Sequence, residues 1–247
     1  MNFKDAVKEF GIDLNESQIA QFETYFCLLI EWNEKMNLTA ITDEEEVYVK
    51  HFLDSLSLVR VYDSLQKISG RDFSKGDFSV IDIGTGAGFP GIPLKILYPD
   101  LQVTLMDSLN KRITFLDEVI SSLNLNERGS IKAVHARAEE LGHDANYREQ
   151  YDIVVSRAVS NLATLSEYCL PFAKVGGFFI PYKSEKAGEE IAVSKNAIGV
   201  CGGSLKEEDS FTLPQSDLKR TLLVIEKKKN TPKQYPRKAG TPAKKPL

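Results

Sequence analysis

Three glycines at alternating positions, Gly84, Gly86 and Gly88, follow directly on the β-branched run VIDI, which contains Asp82. Glycine tolerates a positive φ and lets a ligand approach the main chain closely. A strand-to-helix turn built in this way is typical of a pocket for a nucleoside cofactor. A second carboxylate, Asp107, ends the next apolar run and is spaced to accept hydrogen bonds from ribose hydroxyl groups.

The sequence of this loop is compatible with two kinds of cofactor. The segment GAGFPG matches the dinucleotide fingerprint G-x-G-x-x-G, which is a weak signal by itself. Pro90 argues against a pyrophosphate, because proline has no N–H to donate at the start of a helix. Asp82 before the loop, Gly84 within it and Asp107 beyond it instead resemble motif I of the class I S-adenosylmethionine methyltransferases. We therefore favour S-adenosylmethionine, bound at Gly84, Gly86 and Asp107, and keep a dinucleotide enzyme as the alternative.

The segment DIVVSRA, which ends the fourth predicted strand, narrows the choice of atom that could receive the methyl group. Enzymes that methylate the amino groups of adenine or cytosine usually carry an Asn/Asp-Pro-Pro-aromatic motif there, and cytosine-C5 enzymes need a cysteine nucleophile; this segment has neither. Guanine N7 has an exposed lone pair, so proximity and in-line orientation can suffice for its methylation. We expect Arg157 to bind the cofactor, guanine O6 or a phosphate, or to form a structural ion pair. No residue is identified as catalytic.

Two further strand ends offer binding groups. After the third predicted strand, the segment RAEE could place a main-chain amide and the Glu139 carboxylate against the edge of an adenine, or could simply cap a solvated helix. Lys183, at the end of the fifth predicted strand, and Arg220 could contact RNA phosphates.

Alternating patterns predict the elements that position these residues. Repeated β–α alternation implies an α/β fold with a doubly wound, mostly parallel sheet and ligands at the carboxyl ends of its strands. Glycines 202 and 203 open a last pair of extended segments, which we expect to form an antiparallel edge. The predicted strands are 78–83, 102–106, 130–134, 152–156 and 177–182, and the predicted helices are 90–98, 110–123, 161–172 and 185–197.

The remaining segments flank this sheet. Amphipathic patterns over 15–37 and 43–65 predict an N-terminal helical extension. We place the domain boundaries at 1–68 for the extension, 69–228 for the cofactor-binding domain and 229–247 for a Pro/Lys-rich tail. The composition of that tail predicts no ordered structure.

Charge is distributed unevenly along the 247 residues, whose net charge is −4. Residues 219–247 contain ten Lys/Arg and one acid, a charge of +9, which leaves −13 on the remainder. An acidic body with a basic tail favours nucleic-acid contact, with a merely solvated tail as the alternative. Our candidates for RNA contact are Lys183, Arg220, Lys227, Lys228, Lys229, Arg237 and Lys238.

The cysteine spacing and the hydropathy limit the cellular compartments and the kinds of site that we expect. The three cysteines are widely spaced and form no metal-binding pattern, the N-terminus lacks the apolar core of a signal peptide, and no apolar run approaches about 18 residues. We expect a cytoplasmic monomer without a metal or a membrane segment.

Together these features closely resemble the bacterial 16S rRNA guanine-N7 methyltransferase G family over nearly the whole chain. The motifs that carry the resemblance are EWNEKMNLTA, HFLDS, DIGTGAGFPGIP, DSLNKR, RAE, SRA and YPRKAGTP. The resemblance implies S-adenosylmethionine-dependent methylation of one guanine N7 in the 530-loop region of 16S rRNA. The implied partner is that RNA, in the small ribosomal subunit or an assembly intermediate. The implied cofactor-binding residues are Gly84, Phe89, Ala138, Glu139 and Arg157. A non-catalytic ribosome-assembly protein that keeps the pocket is the other alternative.

Overall fold

A seven-stranded sheet forms the centre of the protein, whose computed structural model describes residues 2–157, 159–185 and 187–247. In chain order the strands are β1 (Ser79–Ile83), β2 (Gln102–Asp107), β3 (Ser130–His135), β4 (Tyr151–Arg157), β5 (Ala173–Ser184), β6 (Gly203–Thr212) and β7 (Lys219–Lys227). Their spatial order is β3-β2-β1-β4-β5-β7-β6. The order reverses between β1 and β4, so a crevice opens at their carboxyl ends.

The strand directions agree with the sequence pattern. β1 to β5 are parallel to one another, whereas β7 is antiparallel to both β5 and β6, which confirms the antiparallel pair. β5 is longer than the predicted strand 177–182, because it begins at Ala173 and includes both Gly176 and Gly177. The β4–β5 register shifts in this region, and Gly176 has a φ of +85°. A glycine pair in a sequence therefore marked an irregularity within a strand and not its start.

Helices cover both faces of the sheet. Alternate strand residues point to opposite faces, and α1 to α7 share a hydrophobic core with one face while α8 to α10 pack on the other. The helices are α1 (Phe3–Lys8), α2 (Glu16–Met36), α3 (Glu44–Val47), α4 (Asp54–Leu56), α5 (Tyr62–Ser69), α6 (Gly91–Leu97), α7 (Asn110–Ser122), α8 (Ala138–Leu141), α9 (Leu162–Cys169), α10 (Ala187–Val200) and α11 (Thr241–Lys244).

The helical block predicted over 43–65 is not one regular helix. A π-helical turn (Tyr48–Leu53) separates α3 from α4, and a 3-10 turn (Ser57–Val61) separates α4 from α5. Within the π-helical turn, the carbonyl groups of Lys50 and His51 accept hydrogen bonds from the distant Arg157 guanidinium, at 3.0 and 3.4 Å. Short π-helical turns are frequent at functional sites.

The tail over 229–247 packs against the body of the protein, contrary to the expectation from its composition. The Arg148 guanidinium donates to the carbonyl oxygens of Thr231 (2.6 Å) and Tyr235 (2.9 Å). Arg237 forms an ion pair with Glu167, at 2.6 Å, and that carboxylate is fully buried. Composition does not reveal these contacts, because the partner groups lie far away in the sequence.

Candidate active site

A cavity of about 470 Å³ opens at the carboxyl ends of β1 to β4, within the usual size range of small-molecule sites. Every residue expected to bind the cofactor lines this one cavity: Gly84, Gly86, Phe89, Asp107, Ala138, Glu139 and Arg157. The N-terminal part of the chain adds a roof made of Leu38, Thr39 and His51.

Asp82 holds the glycine loop from the inside. Its Oδ2 accepts hydrogen bonds from the Thr85 hydroxyl (2.7 Å) and from the Gly91 N–H (2.9 Å). Complete burial raises the pKa of Asp82 to about 6, and its Oδ1 has no hydrogen-bond partner among the described residues. Asp82 is not among the residues that line the cavity. Its role in this structure is therefore to position the loop.

The loop itself requires glycine at two cavity-lining positions. Gly84 and Gly86 have φ values of +71° and +63°, which side chains with a Cβ rarely adopt. A Cβ at Gly84 would lie 2.6 Å from Val159 Cγ2, whereas a Cβ at Gly86 would meet nothing within 4 Å. The open space beside Gly86 lets a ligand approach its main chain.

Asp107 presents a nearly saturated carboxylate at the end of β2. Its Oδ1 accepts from the Leu109 N–H (2.9 Å), and its Oδ2 accepts from the Gly86 N–H and from Arg112 Nη1, both at 3.0 Å. A carboxylate offers roughly four acceptor positions, so about one remains for a ligand hydroxyl. A second hydroxyl could bind only if the partly exposed Arg112 moved away.

The wall of the cavity next to β3 is made by Ala138 and Glu139, at the start of α8. Glu139 is buried, and its Oε1 accepts a hydrogen bond from the Gly240 N–H of the tail at 2.9 Å. Burial and the neighbouring Glu139 carboxylate raise the pKa of Tyr168 to about 12. Nothing in the sequence pattern indicated that Tyr168 or the tail would meet this wall.

Arg157 is held by protein groups at the end of β4. Its Nη1 donates to Asp54 Oδ2 (3.1 Å) and its Nη2 donates to His51 Nδ1 (3.3 Å). The guanidinium lies 5.1 Å from the centroid of the Phe89 ring, a cation–π distance. The structural ion pair, one of the alternatives for Arg157, is therefore present, and the side chain also lines the cavity.

His51 is a cavity residue that the sequence reasoning did not select. Its ring stacks on Phe89, with the centroids 4.5 Å apart, and its Nε2 lies 2.9 Å from Thr39 Oγ1. Burial, together with the positive charge of Arg157, lowers the pKa of His51 to about 3, so the ring is neutral near pH 7. A lone histidine gives no spacing pattern, although His51 and Thr39 both lie in motifs that carried the family resemblance.

The RNA-binding candidates divide into two groups. Lys227 is fully buried, and its Nζ donates to the Leu170 carbonyl (2.5 Å) and the Thr231 hydroxyl (2.7 Å). The structure therefore contradicts the expectation that Lys227 contacts RNA phosphates. Lys228, Lys229 and Lys238 have exposed side chains, and Lys228 forms an ion pair with Glu226 at 2.9 Å. The less exposed Lys183, Arg220 and Arg237 form ion pairs with Glu190, Asp54 and Glu167.

Two features are absent from the described part of the chain. It contains no group of three or more His, Cys, Asp or Glu side chains that could hold a metal ion. It also has no helix with both the length and the apolar character needed to cross a membrane.

A family model described as rRNA small subunit methyltransferase G matches residues 18–219. Two of the curated relatives with the name ribosomal RNA small subunit methyltransferase G cover almost the whole chain. The relative from Lachnoclostridium phytofermentans is 55% identical over 245 residues, 99% of this chain and 96% of its own length. The relative from Alkaliphilus metalliredigens is 53% identical over 247 residues, 100% of this chain and 98% of its own length.

Solved structures extend the likeness to the fold. A Pyrococcus horikoshii structure described as that of an RNA methyltransferase aligns with a TM-score of 0.50 at 13% identity, over 71% of this chain and 83% of that chain. Identity this low bears on the fold alone. The strand order and this likeness confirm the predicted doubly wound α/β fold of the class I methyltransferases, with its antiparallel strands and helical N-terminal part.

Proposed function

The chain belongs to the rRNA small subunit methyltransferase G family, and we propose that it transfers a methyl group from S-adenosylmethionine to N7 of one guanine in the 530-loop region of 16S rRNA. The observation that carries the proposal is the composition of the cavity. Its lining joins the glycine loop, Asp107 and Glu139 to a second group of side chains from the N-terminal part of the chain. A cavity with two such ends can hold a cofactor beside an acceptor base.

The lining residues fit S-adenosylmethionine. We assign Glu139 to the adenine, Asp107 to the ribose and the glycine loop to the methionine part, and the order β3-β2-β1 of the strands that carry them supports this assignment. The open space beside Gly86 fits a ligand that lies on the main chain, and Asp107 keeps an acceptor position for a hydroxyl. When bound, this cofactor supplies a methyl group on a positively charged sulfur.

The end of the cavity next to β4 would receive the guanine. Its N7 needs orientation toward the methyl group and no base to remove a proton. Methylation makes the ring cationic, so a free guanidinium beside it would oppose the reaction. Asp54 lies between Arg157 and Arg220, with N–O distances of 3.1 Å to each, and offsets part of their charge. A base within a folded RNA must be splayed out to reach such a cavity.

One experiment tests the activity. Mass spectrometry of 16S rRNA from strains with and without the gene should show one N7-methylguanine in the 530-loop region that is lost on deletion. Purified protein and S-adenosylmethionine should restore it on subunits or rRNA from the deletion strain. RNA binding without methyl transfer would favour a non-catalytic assembly protein. Calorimetric binding of NAD but not of S-adenosylmethionine would favour a dinucleotide enzyme.

The exposed lysines near the C-terminus, Lys228, Lys229 and Lys238, are the remaining candidates for contact with the RNA backbone, and Lys228 would exchange its ion pair with Glu226 for a phosphate. Replacing all three by Gln should weaken RNA binding and reduce the slope of log affinity against log salt by about 1 per lysine. A matched variant changes the exposed Lys8, Lys67 and Lys195 to Gln. Equal slopes for the two triple variants would leave these three lysines with no role in RNA binding. The compartment that we propose for this reaction is the cytoplasm, where ribosomal subunits are assembled.

A further inference from the structure

The roof of the cavity contains a hydroxyl group, on Thr39, with two hydrogen-bonding neighbours. Thr39 Oγ1 accepts a hydrogen bond from the Ile41 N–H at 3.1 Å, and His51 Nε2 lies 2.9 Å away. A hydroxyl group has two lone pairs and one hydrogen. The direction of the contact with His51 therefore decides what Thr39 can still offer to a ligand.

Arg157 fixes that direction. Its guanidinium can only donate, so the His51 Nδ1 that it contacts at 3.3 Å must be the acceptor and carries no hydrogen. Burial and Arg157 lower the pKa of His51 to about 3, so the ring is neutral and its single N–H is at Nε2. That N–H donates to Thr39 Oγ1. The chain of hydrogen bonds therefore runs in one direction, from Arg157 to His51 to Thr39.

The position of Arg157 is itself well determined. The guanidinium also donates to Asp54 Oδ2 at 3.1 Å and to the Lys50 carbonyl at 3.0 Å, and only 12% of the side chain is exposed. It cannot turn away from His51 without breaking these buried bonds. The tautomer of His51 is thus set by groups that belong to the fold.

With both lone pairs in use, Thr39 can act only as a donor. No acceptor among the described residues takes its hydrogen, and the half-buried side chain lines the cavity. Through His51, which stacks on Phe89 and contacts Arg157, it belongs to the end of the cavity next to β4. The wall of Ala138 and Glu139 follows β3, which is three strands away from β4 in the sheet order. The free donor is therefore on the side assigned to the acceptor base.

We infer that the Thr39 hydroxyl donates a hydrogen bond to O6 of the target guanine and thereby selects guanine over adenine. This inference rests on the proposed function. Guanine presents O6 as an acceptor beside N7, whereas adenine presents an amino group there, which would face a hydroxyl that has no lone pair left. A site built to hydrogen-bond one group discriminates strongly against an analogue that lacks it. A contact at O6 also leaves the N7 lone pair free to attack the methyl group.

The test couples a change in the protein to a change in the base. Thr39→Val removes the hydroxyl at similar size, and Thr39→Ser keeps it. The substrates are reconstituted small subunits whose target position carries either guanine or 2-aminopurine, which lacks O6 but keeps N7. Single-turnover methyl transfer is measured for each pair of protein and substrate, and calorimetry gives the affinity for S-adenosylmethionine.

Wild-type protein should lose about tenfold or more in rate when O6 is removed, the scale of one buried hydrogen bond. Thr39→Val should lose a similar factor on guanine, show little further loss on 2-aminopurine and bind S-adenosylmethionine normally, while Thr39→Ser should resemble wild type. Equal sensitivity to O6 in wild type and Thr39→Val would overturn the inference.

If Thr39→Val does not fold, the two bases can still be compared as substrates of wild-type protein and of Thr39→Ser. The absence of a preference for guanine in that comparison would also overturn the inference. Failure of wild-type protein to methylate the guanine substrate would instead contradict the proposed function itself.

Discussion

Individual side chains around the cavity form most of their possible hydrogen bonds with other groups of the protein. Asp107 accepts three hydrogen bonds from protein donors, and the Thr39 oxygen accepts two. Groups held in this way keep their orientation before a ligand arrives. Each has only a small remaining capacity for the ligand, so single substitutions should have specific effects on binding.

Asp107→Asn should reduce the affinity for S-adenosylmethionine about tenfold to a hundredfold. The amide would direct N–H groups at the Gly86 N–H or Arg112, which disturbs the loop, and would bind a ribose hydroxyl less strongly than a carboxylate does. Isothermal titration calorimetry measures the change. Asp117→Asn, at an exposed position of α7, is the matched control. Unaltered affinity in Asp107→Asn would remove Asp107 from the cofactor site.

His51 should make the protein less stable as the pH falls. Its pKa is about 3 in the folded protein against an ordinary 6.5. Below pH 6.5 the His51 ring binds a proton in the unfolded chain but not in the folded protein. The free energy of unfolding therefore falls by up to about 1.4 kcal/mol per pH unit until about pH 3. Asp82 has the opposite effect, because its folded pKa of about 6 lies above the ordinary 3.8 and the folded carboxyl is protonated first.

Comparison with His51→Gln separates the two effects. Urea unfolding between pH 7.5 and 4.5 should show a smaller loss of stability in this variant than in wild-type protein, since Asp82 is present in both. His135→Gln, at an exposed position, should follow wild type. Parallel curves for wild type and His51→Gln would show that His51 titrates normally in the folded protein.

At the scale of elements, local sequence determined most of what could be predicted. The run VIDI and the amphipathic pattern over 15–37 predicted the elements β1 and α2, because their signals lie within the element itself. The π-helical turn around His51 could not be predicted in this way. Its Lys50 and His51 carbonyls accept hydrogen bonds from Arg157, more than 100 positions away in the chain.

The cavity residues likewise fall into those that local sequence predicts and those that depend on distant contacts. Gly84, Gly86 and Asp107 were predictable because their chemistry is visible in residue type and spacing next to a strand end. Thr39 and His51 were not, because their chemistry depends on the direction of a hydrogen bond that Arg157 fixes in three dimensions. The polarity of such a chain of donors and acceptors has no signature in a linear sequence.

Gly86→Ala should separate the two roles of the glycine loop. The positive φ costs about 1–2 kcal/mol for alanine, and the new Cβ enters the open space of the cavity. Gly176→Ala is matched to it, with a φ of +85° and nothing within 4 Å of the new Cβ, but lies outside the cavity lining. Both should lose similar stability in urea unfolding, whereas only Gly86→Ala should bind S-adenosylmethionine more weakly. A normal affinity in Gly86→Ala would mean that the cofactor does not lie against this main chain.

At the scale of the whole molecule, the tail is joined to the body by charges that the body buries. Glu167 is fully buried and receives three hydrogen bonds from the Arg237 guanidinium and one from its N–H. Gly240 follows three residues later and donates to Glu139. The boundaries at 68 and 228 stay predictions, and the N-terminal helices share one hydrophobic core with the sheet.

Arg237→Met should destabilise the protein by about 3 kcal/mol or more, because it leaves the buried Glu167 carboxylate without its partner. It should also weaken S-adenosylmethionine binding, since the tail would hold Glu139 less firmly. Lys238→Met, the adjacent exposed position, should change neither property. Urea unfolding and calorimetry measure the two effects. A stable Arg237→Met with normal affinity would show that the tail adds charge to the surface and nothing to the cavity.

The contact between Gly240 and Glu139 has a consequence for biosynthesis. A ribosome makes a chain from its N-terminus, and early parts can fold before later parts exist. Strands β1 to β4 and every cavity side chain are synthesised before the N–H that holds Glu139. A nascent chain stopped at β7 would therefore lack the hydrogen bond that supports the cavity wall at Glu139. The chain would therefore bind the methyl donor only late in its synthesis. The enzyme would become able to modify ribosomes at almost the same time as its own translation ends.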